Sequence, residues 1–297
     1  MGHASTILVA TDFSEASHPA ADRAALLAEE SGARLTLMHV LPGGALDELR
    51  LWLGDGHAGE QRLHDDTRQR LQGLADALRA ARRIEVRTVH TIGSAVDDVL
   101  IEASTLEAWL VVVGARGAGS LRHRILGSTA ERLLRRTLRP VLVVRSAPQA
   151  SYRRVLVALD FSGWSAHAMA VARQVAPRAR PVLFHAVQVP FEGRLHLAGV
   201  EAATVEAYRA RAFREARQRL VEVAAAAGLA DGSWDACVFD GEASGAIVDQ
   251  AQEQGCDLIV LGKHGTSVTQ DLILGSVTRH VLAEGATDVL VSTQRVP

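Results

Sequence analysis

The amino-acid sequence repeats itself: short motifs from the first half of the chain recur in the second half at a constant spacing. An apolar run that leads into Asp12-Phe-Ser reappears as one that leads into Asp160-Phe-Ser, 148 positions later. A Gly-x2-Gly motif that begins at Gly114 reappears at Gly262 with the same spacing, and Ile-Leu-Gly-Ser follows it in both places. Three blocks with one spacing, in a chain of 297 residues, indicate a duplicated domain rather than a short solenoid repeat.

The boundary between the two copies is predicted in the polar, proline-containing segment 146–151. It gives two domains, over residues 1–146 and 152–297. Within each half, short apolar runs alternate with amphipathic helical stretches, which is typical of βαβ units and a parallel sheet. Runs such as Leu110–Gly114 are apolar without alternation, as strands covered on both faces should be. The predicted fold class is therefore α/β, with two doubly wound domains that each contain five strands and four helices.

The predicted elements can be placed along the chain. Strands of the first half are predicted at Thr6–Thr11, Arg34–Leu41, Ile84–His90, Leu110–Gly114 and Val141–Arg145. Those of the second half are predicted at Arg153–Leu159, Pro181–Val189, Trp234–Phe239, Leu258–Gly262 and Val289–Thr293. The segments Pro42–Gly59 and Pro190–Gly199 are predicted to be loops. Because aromatic residues make up only 4% of the chain, the core is expected to consist mainly of Ala, Val and Leu.

Composition excludes several classes of protein. A net charge of −2 gives no broad electrostatic attraction for nucleic acid or for an anionic membrane. No apolar run reaches the length of about 18 residues that a membrane span needs, and the N-terminus lacks a signal-peptide pattern. The two cysteines, Cys237 and Cys256, form no Cys-x2-Cys pair and no disulfide framework. We therefore expect a cytoplasmic protein with no nucleic-acid or membrane partner.

The glycines and aspartates fall where a doubly wound sheet binds its ligands, beyond the carboxyl ends of the strands. Asp12 and Asp160 directly follow the first strand of each half, and the glycine motif follows the fourth strand and leads into a helix. Glycine lets backbone approach a phosphate closely, and a helix N-terminus offers free N–H donors. Ser128 is predicted to cap its helix or to donate to a phosphate. The pattern indicates an anion or nucleotide site, with ligand-free tight turns as the alternative.

These motifs resemble those of a known family. Gly-x2-Gly-x9-Gly-Ser after an apolar strand, with an aspartate after the first strand, is similar to the ATP-binding branch of the universal stress proteins. The resemblance covers nearly the whole chain, as in tandem members of the family. Both halves carry the full motif, at Gly114, Gly117, Gly127 and Ser128, and at Gly262, Gly265, Gly275 and Ser276.

The resemblance implies a Rossmann-like fold of the adenine nucleotide alpha hydrolase type, with strand order 3-2-1-4-5. It implies that the two domains pair through their last strands as a pseudo-dimer, and that they bind an adenine nucleotide: ATP, ADP or AMP. Mg²⁺ is expected only as a companion of the triphosphate, because no carboxylate cluster in the sequence requires it. Asp12 and Asp160 would lie beside the ribose or adenine. The main chain of Val40, aligned with Ala186, would hold the adenine edge. The glycine loop and the serine that follows it would hold the phosphates.

The two halves differ in charge near the glycine motif. The first carries Arg116, Arg122 and Arg124, whereas the second carries Lys263 and Asp271, whose charges cancel. We therefore expect a triphosphate to favour the first site. Lys263, the only lysine in the chain, is expected to be a solvated loop cation.

The halves also differ at the entry to their last strand. Pro140 precedes the fifth strand of the first half, as the family pattern requires, but Asp288 stands at the aligned position of the second half. This difference leaves the entry to the last strand of the second half less well defined.

Other kinds of site receive little support. The chain has no Gly-x4-Gly-Lys-Ser/Thr motif and no Gly-x-Ser-x-Gly elbow, so a P-loop ATPase or a serine hydrolase is not predicted. His39 and His185, at the ends of equivalent strands, are interpreted as hydrogen-bonded structural histidines rather than as metal ligands. No catalytic residue and no metal site is assigned.

Three functional hypotheses follow. The first is a cytoplasmic ATP-binding stress-response protein that acts mainly as a sensor or regulator, with at most slow hydrolysis. The second is a nucleotide-free scaffold of the same fold that works through protein contacts. The third, a nucleotide-cleaving enzyme, has only fold-level analogy behind it. The sequence names no protein partner and leaves homodimerisation open.

Overall fold

The computed structural model describes residues 5–44, 57–117, 126–188, 200–265 and 274–294. The chain divides into two compact units, Met1–Ser151 and Tyr152–Pro297. Each unit is an α/β structure in which strands and helices alternate along the chain. No helix in these ranges is both long and apolar enough to cross a membrane.

The first unit has five strands and four long helices in its described ranges. The strands are β1 (Thr6–Ala10), β2 (Arg34–Pro42), β3 (Val86–Gly93), β4 (Leu110–Gly114) and β5 (Val141–Val144). The helices are α1 (His18–Ser31), α2 (His57–Ala81), α3 (Ala95–Thr105) and α4 (Ser128–Arg136). Helix α1 has a proline in its first turn and ends before Gly32, whose φ of 69° is the left-handed conformation that glycine adopts easily.

The second unit repeats this arrangement. Its strands are β6 (Arg154–Ala158), β7 (Arg180–Val187), β8 (Asp235–Asp240), β9 (Leu258–Gly262) and β10 (Asp288–Ser292). Its helices are α5 (Gly163–Val175), α6 (Ala202–Ala226), α7 (Ala243–Glu253) and α8 (Ser276–Glu284).

All the described strand pairs are parallel, and they run in the same order in both units. The first unit has the order β3-β2-β1-β4-β5, and the second has β8-β7-β6-β9-β10. Both orders are 3-2-1-4-5 when each unit is numbered separately, so the predicted doubly wound fold is confirmed. In each unit the chain adds its second and third strands on one side of the first strand, and its fourth and fifth on the other side. The switch point, where such sheets bind ligands, therefore lies between β1 and β4 in the first unit and between β6 and β9 in the second.

The core consists mainly of Ala, Val and Leu side chains, as the composition predicts. The central strands β1 and β4 are buried on both faces, and Ile7, Leu8 and Leu110 are fully inaccessible to solvent. Phe184 on β7 is the largest fully buried side chain in the described part of the chain. Parallel strands covered by helices on both faces require such continuous apolar runs.

Some boundaries differ from the sequence prediction. Strand β3 begins two residues later than the predicted Ile84 and continues to Gly93, because its outer residues pair in register with the full length of β2. Helix α2 begins at His57, inside the predicted loop Pro42–Gly59. The predicted loop Pro190–Gly199 lies outside the described residues.

The entry to the last strand of the second unit is well defined despite the aspartate at that position. Strand β10 begins at Asp288, which lies opposite Leu258 of β9. The Asp288 side chain is buried, and the Tyr152 hydroxyl donates a hydrogen bond to it over 2.8 Å. A buried carboxylate with a donor takes the place of Pro140 of the first unit, so the strand keeps its register.

Candidate functional site

The structure brings the first-strand aspartate and the glycine loop together in each unit. A Cβ atom placed on Gly117 would lie 2.7 Å from Oδ2 of Asp12. The equivalent distance from Gly265 to Oδ2 of Asp160 is 3.2 Å. The backbone that follows β4 or β9 therefore passes directly beside a carboxylate, and only a glycine leaves that approach open.

Each aspartate is oriented by a serine two residues further along. The backbone N–H of Ser14 and its hydroxyl both donate to Oδ1 of Asp12, at 3.0 and 2.6 Å. In the second unit Ser162 donates to Oδ1 of Asp160 in the same way, at 3.0 and 2.5 Å. One carboxylate oxygen is thus held within the turn, and the other faces the glycine loop.

The residue that follows each aspartate has an unusual backbone conformation. Phe13 and Phe161 both have φ of 61°, in the left-handed region that bulky residues rarely adopt. In the first unit the N–H of Phe13 donates to the Thr11 hydroxyl. Strain of this kind tends to concentrate at functional sites. Phe13 and Phe161 were not among the predicted site residues, although the repeated Asp-Phe-Ser carried the signal.

His39 and His185 support this turn from the neighbouring strand. Nδ1 of His39 lies 2.8 Å from the carbonyl oxygen of Thr11, and Nδ1 of His185 lies 2.6 Å from that of Leu159. A carbonyl only accepts, so Nδ1 carries the proton in both rings. Burial lowers the pKa of both histidines, although these hydrogen bonds act in the opposite direction. The interpretation of both as hydrogen-bonded histidines is confirmed, although neither ends its strand, since β2 continues to Pro42 and β7 to Val187.

The residues predicted to hold the adenine edge directly follow these histidines. Val40 is buried near the end of β2, where it lies opposite Thr91 of β3. Ala186 occupies the same place on β7, opposite Phe239 of β8. The backbone of both residues therefore lies at the carboxyl edge of its sheet.

The start of the helix after the glycine loop is tied back to that loop. The N–H of Gly127 donates to the carbonyl of Ala115 over 2.9 Å, and Gly275 donates to Lys263 over 3.0 Å. Gly127 and Gly275 are the N-cap residues, so the prediction that Ser128 caps its helix is wrong. Ser128 and Ser276 are the first helical residues and are exposed.

Gly114 and Gly262 have a packing role at the ends of β4 and β9. A Cβ on Gly114 would lie 2.7 Å from the carbonyl oxygen of Ala16, at the approach to α1. A Cβ on Gly262 would lie 3.0 Å from Cβ of Trp164 in α5. Glycine at these positions lets the strand end pack closely against the helix start.

The two units differ in the side chains around the loop. Lys263 is only 3% exposed, so the prediction of a solvated loop cation is wrong; the aligned residue, Ala115, is also buried. His264 is buried with its ring edge-on to Trp164, at a centroid distance of 4.7 Å. Arg116 stands at the His264 position in the first unit and is half-buried. Arg122, Arg124 and Asp271, on which the predicted charge difference depends, lie outside the described residues.

Metal binding receives no support from the side chains the structure describes. Within those ranges, no group of three or more His, Cys, Asp or Glu residues is placed to hold a metal ion.

The fold and the site together define the class of protein: two doubly wound, Rossmann-like domains, each with an aspartate and a glycine loop at the switch point of its sheet. The model of the universal stress protein family matches residues 4–145 and 151–293. The chain therefore belongs to the universal stress protein family and carries its domain twice.

Known relatives agree with this assignment. Universal stress protein Rv2005c of Mycobacterium tuberculosis is 31% identical over 231 residues, which cover 74% of this chain and 72% of the relative. Universal stress protein G of Salmonella typhimurium is 33% identical over 142 residues, which cover 47% of this chain and 98% of the relative.

Among solved structures, a universal stress protein from Archaeoglobus fulgidus DSM 4304 superposes with a TM-score of 0.70 at 20% identity. The match covers 96% of this chain and 97% of that one. At this level of identity the likeness shows the fold alone.

Proposed function

We propose that this universal stress protein binds ATP at its glycine loops and acts mainly as a nucleotide-dependent sensor or regulator of a stress response, with at most slow hydrolysis. The observation that carries the proposal is the close approach of Gly117 to Asp12, repeated between Gly265 and Asp160. The side chains around the two sites differ, but in both units a glycine leaves space beside the carboxylate of the first-strand aspartate.

The aspartate suits a ribose hydroxyl. Oδ2 of Asp160 is buried and accepts no hydrogen bond from any residue that the structure describes. A buried acceptor without a donor costs free energy, and a sugar hydroxyl would supply that donor. Oδ2 of Asp12 faces the equivalent glycine of the first unit and is proposed to have the same role.

The order of strands matches the order of groups in a nucleotide. Val40, Asp12 and Gly117 lie at the ends of adjacent strands β2, β1 and β4, which are spaced by about 5 Å each. Base, sugar and phosphates would therefore follow one another along the carboxyl edge of the sheet. The second unit presents Ala186, Asp160 and Gly265 in the same order.

The phosphates would lie at the glycine loop and the start of the next helix. Backbone N–H groups at the beginning of α4 and the exposed Ser128 hydroxyl are suited to bind an anion. Gly275 and Ser276 offer the same groups in the second unit. Mg²⁺ would enter with the triphosphate and be held largely by phosphate and water oxygens.

Binding rather than turnover fits the state of the aspartate. Two donors from Ser14 hold Oδ1 of Asp12, and Oδ2 is proposed to accept from a sugar hydroxyl, so in the proposed complex neither oxygen is available as a general base for water. We therefore assign no catalytic residue. The domain limits 1–146 and 152–297, the cytoplasmic location and the pseudo-dimer remain predictions.

The alternative function is a nucleotide-free scaffold of the same fold. It is favoured by one observation in the second unit, where His264 packs against Trp164 directly before the loop glycine. In that case the glycines would serve chain packing alone, as Gly114 and Gly262 do.

The first experiment is to denature the freshly purified protein and identify any released nucleotide by mass spectrometry. Stoichiometric adenine nucleotide would support the proposal, and the ratio of ATP to ADP would report on slow turnover. A protein that is purified empty and fails to bind added Mg·ATP would refute the proposal and favour the scaffold.

A calorimetric titration of two variants then tests the sites separately. Gly117→Val and Gly265→Val each place a side chain against the aspartate and should each remove one site. The control is Gly73→Ala in α2, where an added Cβ meets no atom within 4 Å. If Gly265→Val loses more binding than Gly117→Val, the prediction that the arginine-rich first site is favoured is wrong.

A further inference from the structure

A histidine cluster lies next to the site in the first unit. We define it as His39, His64 and His90. His39 and His90 are opposite one another on β2 and β3, with nearly parallel rings whose centroids are 6.0 Å apart. His64 of α2 lies edge-on to His90 at 5.4 Å.

The second unit provides a natural comparison, because it keeps only one of these rings. His185 occupies the position of His39, with the same hydrogen bond to the turn before the aspartate. Its partner on the neighbouring strand is Val238, where the first unit has His90. The two units thus share the supporting histidine but differ in its titratable neighbour.

His39 connects the cluster to the turn that presents Asp12. Its Nδ1–H donates to the carbonyl of Thr11, the residue directly before that aspartate. Its ring also packs on Phe13 at 4.4 Å, and the guanidinium of Arg70 covers the ring of Phe13 at 4.6 Å. Because Phe13 is in the left-handed region, the turn depends on these contacts to hold its conformation.

The charged groups around the cluster are mostly basic. Helix α2 supplies His64, Arg68 and Arg70, and the carboxylate that acts on His39 is Asp12 at the end of β1.

Both strand histidines resist protonation. Burial lowers the pKa of His39, with a smaller lowering from Arg70 and opposing effects from Thr11 and Asp12. Burial also lowers the pKa of His90, followed by the nearby His39, His64 and Arg68. A histidine whose pKa is lower in the folded state than in the unfolded chain costs stability as the pH falls below about 6.5. Acid therefore destabilises the packing of the histidine cluster against the turn that precedes Asp12.

We propose that His39 is a positioning residue for Asp12, and that acid, by protonating the histidine cluster, loosens this turn so that the first site releases nucleotide while the second retains it. The inference rests on the proposed function and specifies how one of its two sites is regulated.

Two physical effects set the direction of the change. An imidazolium at His39 would repel a protonated His90 across the 6.0 Å between their ring centroids and push the His39 ring away from β3, an effect that the second unit lacks because Val238 lies opposite His185. The attraction of the same charges for the phosphates is weaker. The phosphates are proposed at β4, two strands from His39 and three from His90, or about 10 Å and more. Coulomb attraction falls with this distance, whereas the rings of His39 and His90 are only 6.0 Å apart.

The test is ATP affinity measured by calorimetry between pH 7.5 and 5.5 in single-site variants. Gly265→Val reports the first site, and Gly117→Val reports the second. One pKa unit of difference between the free and bound states of one histidine changes affinity by up to about tenfold. We expect such a loss at the first site and little change at the second.

Two further variants, made in the Gly265→Val background, separate positioning from general destabilisation. His90→Val copies the residue of the second unit and should flatten the pH profile while leaving affinity at pH 7.5 unchanged. His39→Asn retains an amide donor near the place of Nδ1 and should bind with little pH dependence, whereas His39→Ala should bind weakly at every pH.

Different results would refute this inference and the proposed function. An unchanged pH profile in His90→Val, or an equal loss of affinity at both sites, would overturn the proposal, as would loss of circular dichroism at pH 5.5. Absence of ATP binding by every variant and by the unmodified protein at pH 7.5 would refute the proposed function and this inference with it. Binding at the first site that does not depend on pH would refute this inference alone.

Discussion

Alanine at two glycines of the same loop should have opposite consequences. A Cβ at position 114 would lie 2.7 Å from the Ala16 carbonyl oxygen, 3.1 Å from that of Arg116 and 3.3 Å from Cα of Ser17. All three are backbone atoms. A Cβ at position 117 would lie 2.7 Å from Oδ2 of Asp12, the end of a side chain that can rotate.

The size of each effect follows from these contacts. Overpacking against backbone typically costs about 1–3 kcal/mol, and contacts on three sides place Gly114→Ala at about 2–3 kcal/mol. In a domain of this size that lowers the melting temperature by roughly 4–12 °C. Gly117→Ala should cost about 1 kcal/mol of stability: the Asp12 side chain can turn away from the new Cβ, but turning it weakens the exposed hydrogen bonds that Ser14 donates to Oδ1.

Nucleotide affinity should respond in the reverse order. Turning Asp12 away removes a hydrogen bond to a charged group, worth about 1.5–3 kcal/mol. Gly117→Ala should therefore weaken ATP binding by roughly ten- to a hundredfold. Gly114→Ala should retain more affinity than Gly117→Ala at a temperature where both proteins are folded.

The assay pairs thermal unfolding, followed by circular dichroism, with ATP titration in the Gly265→Val background. Gly73→Ala is the matched control: it should raise the free energy of unfolding by up to about 1 kcal/mol through helix propensity and leave ATP affinity unchanged. A Gly114→Ala protein as stable as the unmodified one would refute the packing role. Normal ATP affinity in Gly117→Ala would refute the role of the loop beside the carboxylate.

Two further predictions concern the second unit. Hydrogen bonds from Arg180 hold the pKa of the partly exposed Asp235 below its usual range, with help from Arg154. Asp235→Asn should cost about 1–2 kcal/mol in urea unfolding at neutral pH, and exposed Asp231→Asn should cost almost nothing. Because the pKa of Asp235 is lowered in the folded state, the stability difference between the unmodified protein and Asp235→Asn should be complete above about pH 4. It should disappear as the pH falls through the lowered pKa. A stability difference that persists below that pKa would contradict this reasoning. Burial raises the pKa of Cys256 to about 11, so iodoacetamide at pH 7.5 should label it far more slowly than a free thiol. Rapid labelling of the folded protein would show that the thiol is accessible.

Much of the fold could be predicted from the sequence because the same strand and motif patterns occur in both halves of the chain. Leu110–Gly114 and Leu258–Gly262 are apolar runs of the length of a strand, and both are strands with those bounds. The edge strand β3 was harder to delimit: its residues are only partly buried, and its register is set by pairing with β2. Propensity contains no information on that pairing.

At the site, the spacing of motifs predicted which residues meet but not how their side chains lie. The proximity of Gly117 to Asp12 follows from strand order, since β1 and β4 are neighbours. The burial of Lys263 does not follow from strand order, because a side chain at the end of a strand can point to either face of the sheet. The predicted N-cap of α4 was wrong by one residue, because Gly127 and Ser128 are both acceptable N-cap residues by type.

The burial of Lys263 has a practical and a biological consequence. It is the only lysine in the sequence, and 3% of its surface is accessible. Amine-reactive dyes and cross-linkers would therefore find no exposed ε-amino group on the folded protein, so labelling would be confined to the α-amino group. Acetylation of lysine has no surface target either, and the positive charge of this protein, carried by arginine, is beyond the reach of that modification.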